Sequence, residues 1–192
     1  MTRTSRFAVA LIATIVAQPV SAAVSWVSPG PRVPPVELLD QDGTRHSLST
    51  LIGDRPVLVS FFFTACARLC PPQTALLREV QQQLERRGAA RHPILLSISL
   101  NPLADTPPAL RAYADLFDAR LGDRTGWLML TGSTQALDPV WKAFETSGED
   151  LDRHAATLWI GHPASHRWTR TSAVSPDVTP SRLADLLLED EP

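Results

Sequence analysis

The sequence predicts an α/β fold, with a mixed central sheet flanked by helices and an N-terminal β-hairpin. Three observations carry that prediction. The near-continuous apolar runs "PVLVSFFF" (Pro56–Phe63) and "PILLSISL" (Pro93–Leu100) have the length and β-rich content of strands covered on both faces. Between them, Leu76, Val80 and Leu84 recur every four residues with Leu77 beside them, the spacing of a buried helix face. Strand, helix and strand in that order make a right-handed parallel crossover.

The remaining elements follow from local signals. In "VELLDQDGTRHSL", two short strands flank the turn pair Asp42-Gly43, which marks a hairpin. The helix after the first apolar strand is expected to begin at Pro71 or Pro72, because Pro71 biases Cys70 away from the α region; Gly88 ends it. "DTPPALRAYADLF" starts a helix with Thr106 as N-cap and Pro107 at the first helical position. "GWLMLTG" gives a third strand, and "STQALDPVWKAFE" a helix that Pro139 is expected to kink or restart. A hairpin with strands near Thr157–Ile160 and Arg167–Arg170 encloses the turn "GHPASH". Thr179 and Pro180 then cap a last helix, "SRLADLLLE". This is the thioredoxin-like order of elements. Residues 36–190 form one domain on this reading, preceded by a proline-rich leader at 24–35. The tryptophans Trp127, Trp141, Trp159 and Trp168 read as core or edge packing.

Residues 1–23 read differently. Arg3 and Arg6 precede the apolar run Phe7–Ala17, Pro19 breaks it, and "VSAA" offers small residues for cleavage after Ala22 or Ala23. A run this short is expected to be a secretory signal, with an uncleaved anchor as the alternative. No cysteine follows it to carry a lipid. The expected compartment is an exported, oxidising one, the bacterial periplasm, with inner-membrane anchoring as the alternative. The 192-residue chain is 44% hydrophobic and 20% charged, with a formal net charge of −2. That balance gives no reason to expect a nucleic-acid partner, and neither a glycine-rich phosphate loop nor a repeat is visible.

The chemistry gathers in "FFFTACARLCPPQ", Phe61 to Gln73, which contains both cysteines of the chain. Cys66 follows a central strand and Cys70 precedes a helix, the position where open α/β sheets place their sites. A helix N-terminus favours thiolate, which is both metal ligand and nucleophile. A structural disulfide is a poor reading, since so short a loop gains little from closure and the domain is large enough to bury a core. Three residues separate the cysteines, where thioredoxin-type redox catalysts have two. At helical i,i+4 spacing the Cβ atoms are about 5–6 Å apart, against about 3.8 Å in a relaxed disulfide. That favours a shared metal while permitting a reversible disulfide. A third ligand would come from His46, His92, His154, His162 or His166. His46 lies on the first hairpin, His92 at a strand entry, and His162 and His166 in a turn expected to be solvated. Arg68, inside the loop, reads as a solvated side chain facing a partner.

Residues Val36 to Trp168 resemble the Sco/SenC family of copper-binding, thioredoxin-like assembly proteins. "LLDQDGTRHSLSTLIGDRPVLVSFFFTACARLCP" is similar to the family's hairpin, strand and Cys-x-x-x-Cys-Pro motif, Thr64 included. "SISLNPLADTPPALRAY" is similar to its "SVDP-x-x-DTP-x-x-L-x-x-Y" segment. His154, 84 residues after Cys70, stands where the family's distal histidine precedes a strand. The resemblance implies one copper ion, Cu(I) or Cu(II), held by Cys66, Cys70 and His154. Soft thiolates suit Cu(I), and an imidazole also accommodates Cu(II). It further implies a metallochaperone for an exported or membrane-anchored client, the CuA centre of cytochrome c oxidase subunit II, loaded from a periplasmic copper donor. Membrane contact would come only through the anchor or the client. The alternative is a thiol–disulfide oxidoreductase that keeps client cysteines reduced, with Cys66 and Cys70 as its redox-active pair. Zinc would also fit a Cys₂His set. A peroxidase fits less well, because Thr64 is only two residues before Cys66 and the upstream proline of peroxiredoxins is missing. Three departures concern the client: Asn101 replaces the first aspartate of "DP-x-x-DTP", Arg153 stands where the family often has aspartate, and "GHPASH" replaces an acidic turn.

Overall fold

The structure is a computed structural model that describes residues 25–89, 93–148 and 156–189. Residues 1–23, His92, Arg153 and His154 lie outside the described residues. Among the described residues, no helix is long and apolar enough to cross a membrane.

The expected hairpin is β1 (Glu37–Asp40) with β2 (Arg45–Ser47), antiparallel with Leu38 opposite His46. Gly43 closes its turn at φ 78°, a conformation open to glycine at no steric cost. The Asp40 carboxylate accepts the N–H groups of Asp42 and Thr44 at 2.8 and 2.9 Å. A short helix, α1 (Leu48–Ile52), follows and was not foreseen. The two apolar runs are β3 (Val57–Phe62) and β4 (Ile94–Ser99), buried at every position and paired in parallel. β5 (Trp127–Thr131) continues the parallel set beside β4, and β1 closes that side antiparallel to β5. On the other side, β6 (Thr157–His162) runs antiparallel to β3 and pairs with β7 (Arg167–Ser172). The seven-stranded sheet therefore has the order β2-β1-β5-β4-β3-β6-β7.

Period-two alternation divides the core between the two faces of this sheet. Leu58, Phe62, Leu95 and Met129 point to one side, against α2 (Cys70–Arg86), α3 (Pro107–Asp115) and α5 (Pro180–Leu188). Val57, Val59, Phe61, Ile94 and Leu96 point to the other, against α1 and α4 (Thr134–Ala143). All four tryptophans named above are at most 7% exposed, as packing residues should be.

Three expectations need correcting or narrowing. α2 starts at Cys70, one residue earlier than the proline rule suggested, with Leu69 already near the α region at φ −93°, ψ −36°. Pro71 and Pro72 lack N–H groups that would have no helical partner there in any case, so the helix gains a residue at little cost. Of the two outcomes expected at Pro139, a restart does not occur: α4 is one helix with Pro139 inside it. His162 is not a solvated turn residue: it ends β6, is 2% exposed, and its Nε2 lies 2.7 Å from the Leu186 carbonyl oxygen. The turn proper is a single 3₁₀ turn at Pro163–Ser165, closed by exposed His166 at φ 56°.

The leader packs onto the last hairpin. Val27 and Trp168 exchange backbone hydrogen bonds of 2.6 and 3.0 Å, and Thr169 Oγ1 donates to the Ser25 carbonyl at 2.9 Å. Trp26 meets the His162 ring edge-on at 5.4 Å and carries the Arg167 guanidinium over its own ring at 4.4 Å.

Candidate metal centre

Both thiols sit at the carboxyl end of β3. The Cys66 N–H donates to the Phe63 carbonyl at 3.1 Å, turning the chain sharply as it leaves the strand. Four residues later α2 begins, and its first turn is unusually poor in donors. Pro71 and Pro72 carry no N–H, and Gln73 N already donates to the Leu69 carbonyl at 3.2 Å. That leaves the Cys70 N–H, which donates to Cys66 Sγ at 3.2 Å. Cys66 thus occupies the place of a helix-capping side chain, with sulfur as the acceptor.

The two sulfurs differ electrostatically. Burial pushes the Cys66 thiol up, but hydrogen bonds from the Cys70 side chain and from the backbone N–H groups of Cys70, Arg68 and Leu69 outweigh it, and Cys66 titrates below its ordinary value. The Cys70 N–H bonds that sulfur at 3.2 Å, and the nearby Arg68 and Leu69 N–H groups add to the same favourable field. Cys70 moves strongly upward, first because it is buried, then because its thiol donates to Cys66 and faces the charges of Cys66 and Asp105. The site therefore favours thiolate at Cys66 over Cys70, whose thiol is the donor between them. The two are not joined in a disulfide, and they are 8% and 0% exposed.

The surroundings are ordered by polar contacts. Thr74 Oγ1 and the Tyr113 hydroxyl lie 2.9 Å apart, and Gln73 Nε2 donates to the Phe61 carbonyl at 2.9 Å, fixing α2 against β3 and α3. Burial raises the Tyr113 hydroxyl well above its ordinary range, and the charges of Cys70, Cys66 and Asp105 add to this. Asp105, fully buried, accepts from Thr64 N, Thr64 Oγ1 and Ser99 Oγ at 3.0, 2.6 and 2.6 Å. Sequence reasoning gave Tyr113 and Asp105 no role of their own. Their signal was the "DTPPALRAY" segment, whose spacing carries the resemblance without revealing which bonds it makes.

The histidines separate clearly. His46 Nε2 lies 2.8 Å from the Asp40 carboxylate on the hairpin, and His162 is buried at the amino end of β3, level with Gly161 opposite Val57. Neither joins the thiols. Among the described residues, no group of three histidine, cysteine or carboxylate side chains is placed to hold a metal ion. His154 lies outside them. The described residues on either side of it, Gly148 and Ala156, lie beside the carboxyl ends of β4 and β3. Gly148 packs against the Leu100 carbonyl and the Trp141 ring so closely that a Cβ would come within 2.7 Å of that oxygen, and Leu100 N donates to the Phe62 carbonyl. Ala156 immediately precedes β6, whose Leu158 pairs with Ser60. Exposed Ala65, Ala67 and Arg68 face outward from the loop, as expected for Arg68.

With this geometry in place, comparison with known proteins is decisive. Residues 29–167 match the SCO1/SenC family. The chain belongs to that family. Across 139 residues it is 30% identical to a Stutzerimonas stutzeri protein named for copper binding, a match covering 68% of this chain and 64% of that protein. The match thus spans slightly less than two thirds of that relative's length. Its fold superposes with a TM-score of 0.67 and 25% identity on BsSco, a Sco-family cytochrome c oxidase assembly protein in which a disulfide switch has been identified. That superposition covers 82% of this chain and 92% of BsSco. Arabidopsis thaliana ScoI with copper bound superposes with a TM-score of 0.63 at 20% identity, over 81% and 94% of the two chains. The mixed seven-stranded sheet with flanking helices is thus the thioredoxin-like fold of Sco proteins, as expected from the sequence. The donor chemistry of this SCO1/SenC chain also fits copper, since two adjacent sulfurs, one already favoured as thiolate, are a soft ligand pair.

Proposed function

We propose that this chain is an exported copper chaperone, binding one copper ion through Cys66, Cys70 and His154 and passing it to a client copper site, the CuA centre of cytochrome c oxidase subunit II. The observation that carries the reading is the Cys66–Cys70 pair, with Cys66 prepared as thiolate by the start of α2. The copper bound in Arabidopsis thaliana ScoI and the copper-binding name of the Stutzerimonas stutzeri relative support the choice of metal. His154 enters through the family resemblance, standing 84 residues after Cys70 and shortly before β6. On this reading Cys66 and Cys70 supply the sulfur donors, and the hydrogen bonds onto Cys66 ease its deprotonation to a ligand relative to an ordinary thiol. Export to the periplasm rests on the apolar segment Phe7–Ala17, with anchoring there as the alternative.

The test is a copper titration of the reduced domain with visible absorption. The native protein should take up one equivalent; Cys66→Ser and Cys70→Ser should weaken uptake by more than about a hundredfold, beyond the 10–100-fold loss usual for groups behind the ligands. His154→Ala should abolish any Cu(II)–thiolate charge-transfer band. Unchanged copper stoichiometry in all three variants would sink the assignment.

A second reading rests on the unequal thiols. A low-lying, attacking Cys66 and a protonated, resolving Cys70 are also what a thiol–disulfide exchanger needs. Cys66 thiolate would attack a client disulfide; Cys70 would then displace the client thiol, leaving Cys66–Cys70 oxidised and the client reduced by two electrons. Intact biological function in His154→Ala, with loss in either cysteine variant, would select this reading.

A further inference from the structure

We propose that Asp105 is a positioning residue for the thiol pair, setting where Cys66 stands relative to Cys70 through its grip on Thr64 and Ser99. The inference rests on the copper reading above for its purpose, and on separate geometry for its substance.

The two sulfurs are held by different pieces of the fold. Cys70 belongs to α2, which is fixed by the Gln73–Phe61 and Thr74–Tyr113 contacts. Cys66 belongs to the loop that leaves β3, and its place depends on how Thr64 is held two residues earlier. Thr64 gives both of its donors, N–H and Oγ1, to the same Asp105 oxygen, Oδ1, at 3.0 and 2.6 Å. The other oxygen, Oδ2, accepts from Ser99 Oγ at 2.6 Å, at the end of the neighbouring strand β4. Ser99 Oγ in turn accepts the Asn101 N–H at 3.0 Å, and the Ala104 and Asp105 N–H groups both donate to the Asn101 carbonyl. The carboxylate is thus locked from its own backbone outward and spans the ends of β3 and β4.

A carboxylate at 0% exposure costs several kcal/mol of lost hydration unless it is fully hydrogen-bonded, and charge-assisted bonds of 2.6 Å are the kind that offset it. An apolar side chain there would leave the Thr64 and Ser99 donors without a partner, so part of the carboxylate's effect is on stability. What the carboxylate adds beyond that is direction. A shift at Thr64 moves the Cys66 sulfur away from the Cys70 N–H, 3.2 Å distant, and so changes the gap that a shared ion must bridge.

The experiment compares native protein with Asp105→Asn, Thr64→Val and the double variant, all reduced and metal-free at the start. Copper affinity is read by competition with a Cu(I) chelator, and iodoacetamide labelling of Cys66 is followed against pH by mass spectrometry. Thermal unfolding identifies any variant not folded at the assay temperature; if Asp105→Asn fails there, Thr64→Val, which keeps side-chain volume, takes its place. We expect each single variant to weaken copper about tenfold or more, within the range of groups that orient ligands. Thr64→Val, which leaves the Asp105 charge in place, should also move the Cys66 labelling profile to higher pH; Asp105→Asn combines that displacement with the loss of a nearby negative charge, so its profile should differ from native without matching that of Thr64→Val. Because Asp105 acts through Thr64, the double variant should be no weaker than the worse single one. Native copper affinity together with a native labelling profile in the single variants would overturn the proposal, as would simple additivity in the double. If the native protein itself takes up no copper, the copper reading fails, and the labelling profile alone decides the role of Asp105: a shift supports it and an unchanged profile overturns it.

Discussion

Asp105 and His162 are equally hidden polar side chains at opposite ends of the same strand. At the carboxyl end of β3, Asp105 gathers three donors from Thr64 and Ser99, all within 42 residues of chain, beside two unequal thiols. At the amino end, His162 meets the Leu186 carbonyl and the edge of Trp26, partners contributed by the last helix and the leader. One polar centre aims a loop at a ligand; the other closes the fold over its own termini. Burial of a titratable group does not by itself mark a functional site. What distinguishes the two ends is whether the polar contacts lead to reactive atoms.

The comparison breaks most sharply at Trp168. Its ring lies against Gly161, where a Cβ would approach to 2.5 Å, against Gly30, and edge-on to Phe144 at 5.8 Å. Trp168→Ala should cost about 3–5 kcal/mol of stability, the usual range for a buried tryptophan. Denaturant unfolding measures the loss. The two-ends picture requires that copper affinity, measured where the variant remains folded, stay native. A loss of affinity would mean that the hairpin end communicates with the thiols.

His162→Leu probes the same end more gently. It removes the partner of the Leu186 carbonyl, and the orphaned buried oxygen should cost about 1–3 kcal/mol. Copper uptake and Cys66 labelling should again be native. Were copper uptake to fall as in a cysteine variant, His162 would have to be counted among the ligands and the separation of the two ends abandoned.

These two residues also show where sequence reasoning reaches its limit. The strands β3, β4 and β5, the helix face of Leu77, Val80 and Leu84, and the thiol pair at a strand-to-helix junction were all legible, because each depends on local periodicity or on a motif a few residues long. His162 was not, because "GHPASH" resembles a solvated turn and the atoms that bury it come from Trp26 and Leu186. The start of α2 was missed by one residue because the rule for residues preceding proline weighs backbone sterics alone. It takes no account of the Cys70 N–H finding an acceptor in Cys66 Sγ. Asp105 was visible as part of a motif, but its bonds to Thr64 and Ser99 appear only once β3 and β4 lie side by side.

The smallest expected effect concerns pH, and its smallness is the point. Cys66 titrates below its ordinary value in the folded protein, so the unfolded chain holds more protons at that site, and stability rises with pH through the thiol range. Cys70 titrates above its ordinary value, so its contribution is complete below the unfolded thiol pKa and is lost as pH rises toward the folded one. The two slopes oppose each other. Under reducing, metal-free conditions, the two contributions should therefore offset each other in part across the ordinary thiol range near about 8.5, leaving the native protein with a shallower pH dependence than the Cys66→Ser variant. Cys66→Ser removes the rising slope and leaves Cys70 still buried. Its stability should therefore fall as pH climbs past the ordinary thiol value, which urea unfolding at a series of pH values would show. A rising curve in that variant would mean that Cys70, not Cys66, is the sulfur the start of α2 prepares as thiolate, and the labelling order of the two cysteines would invert with it.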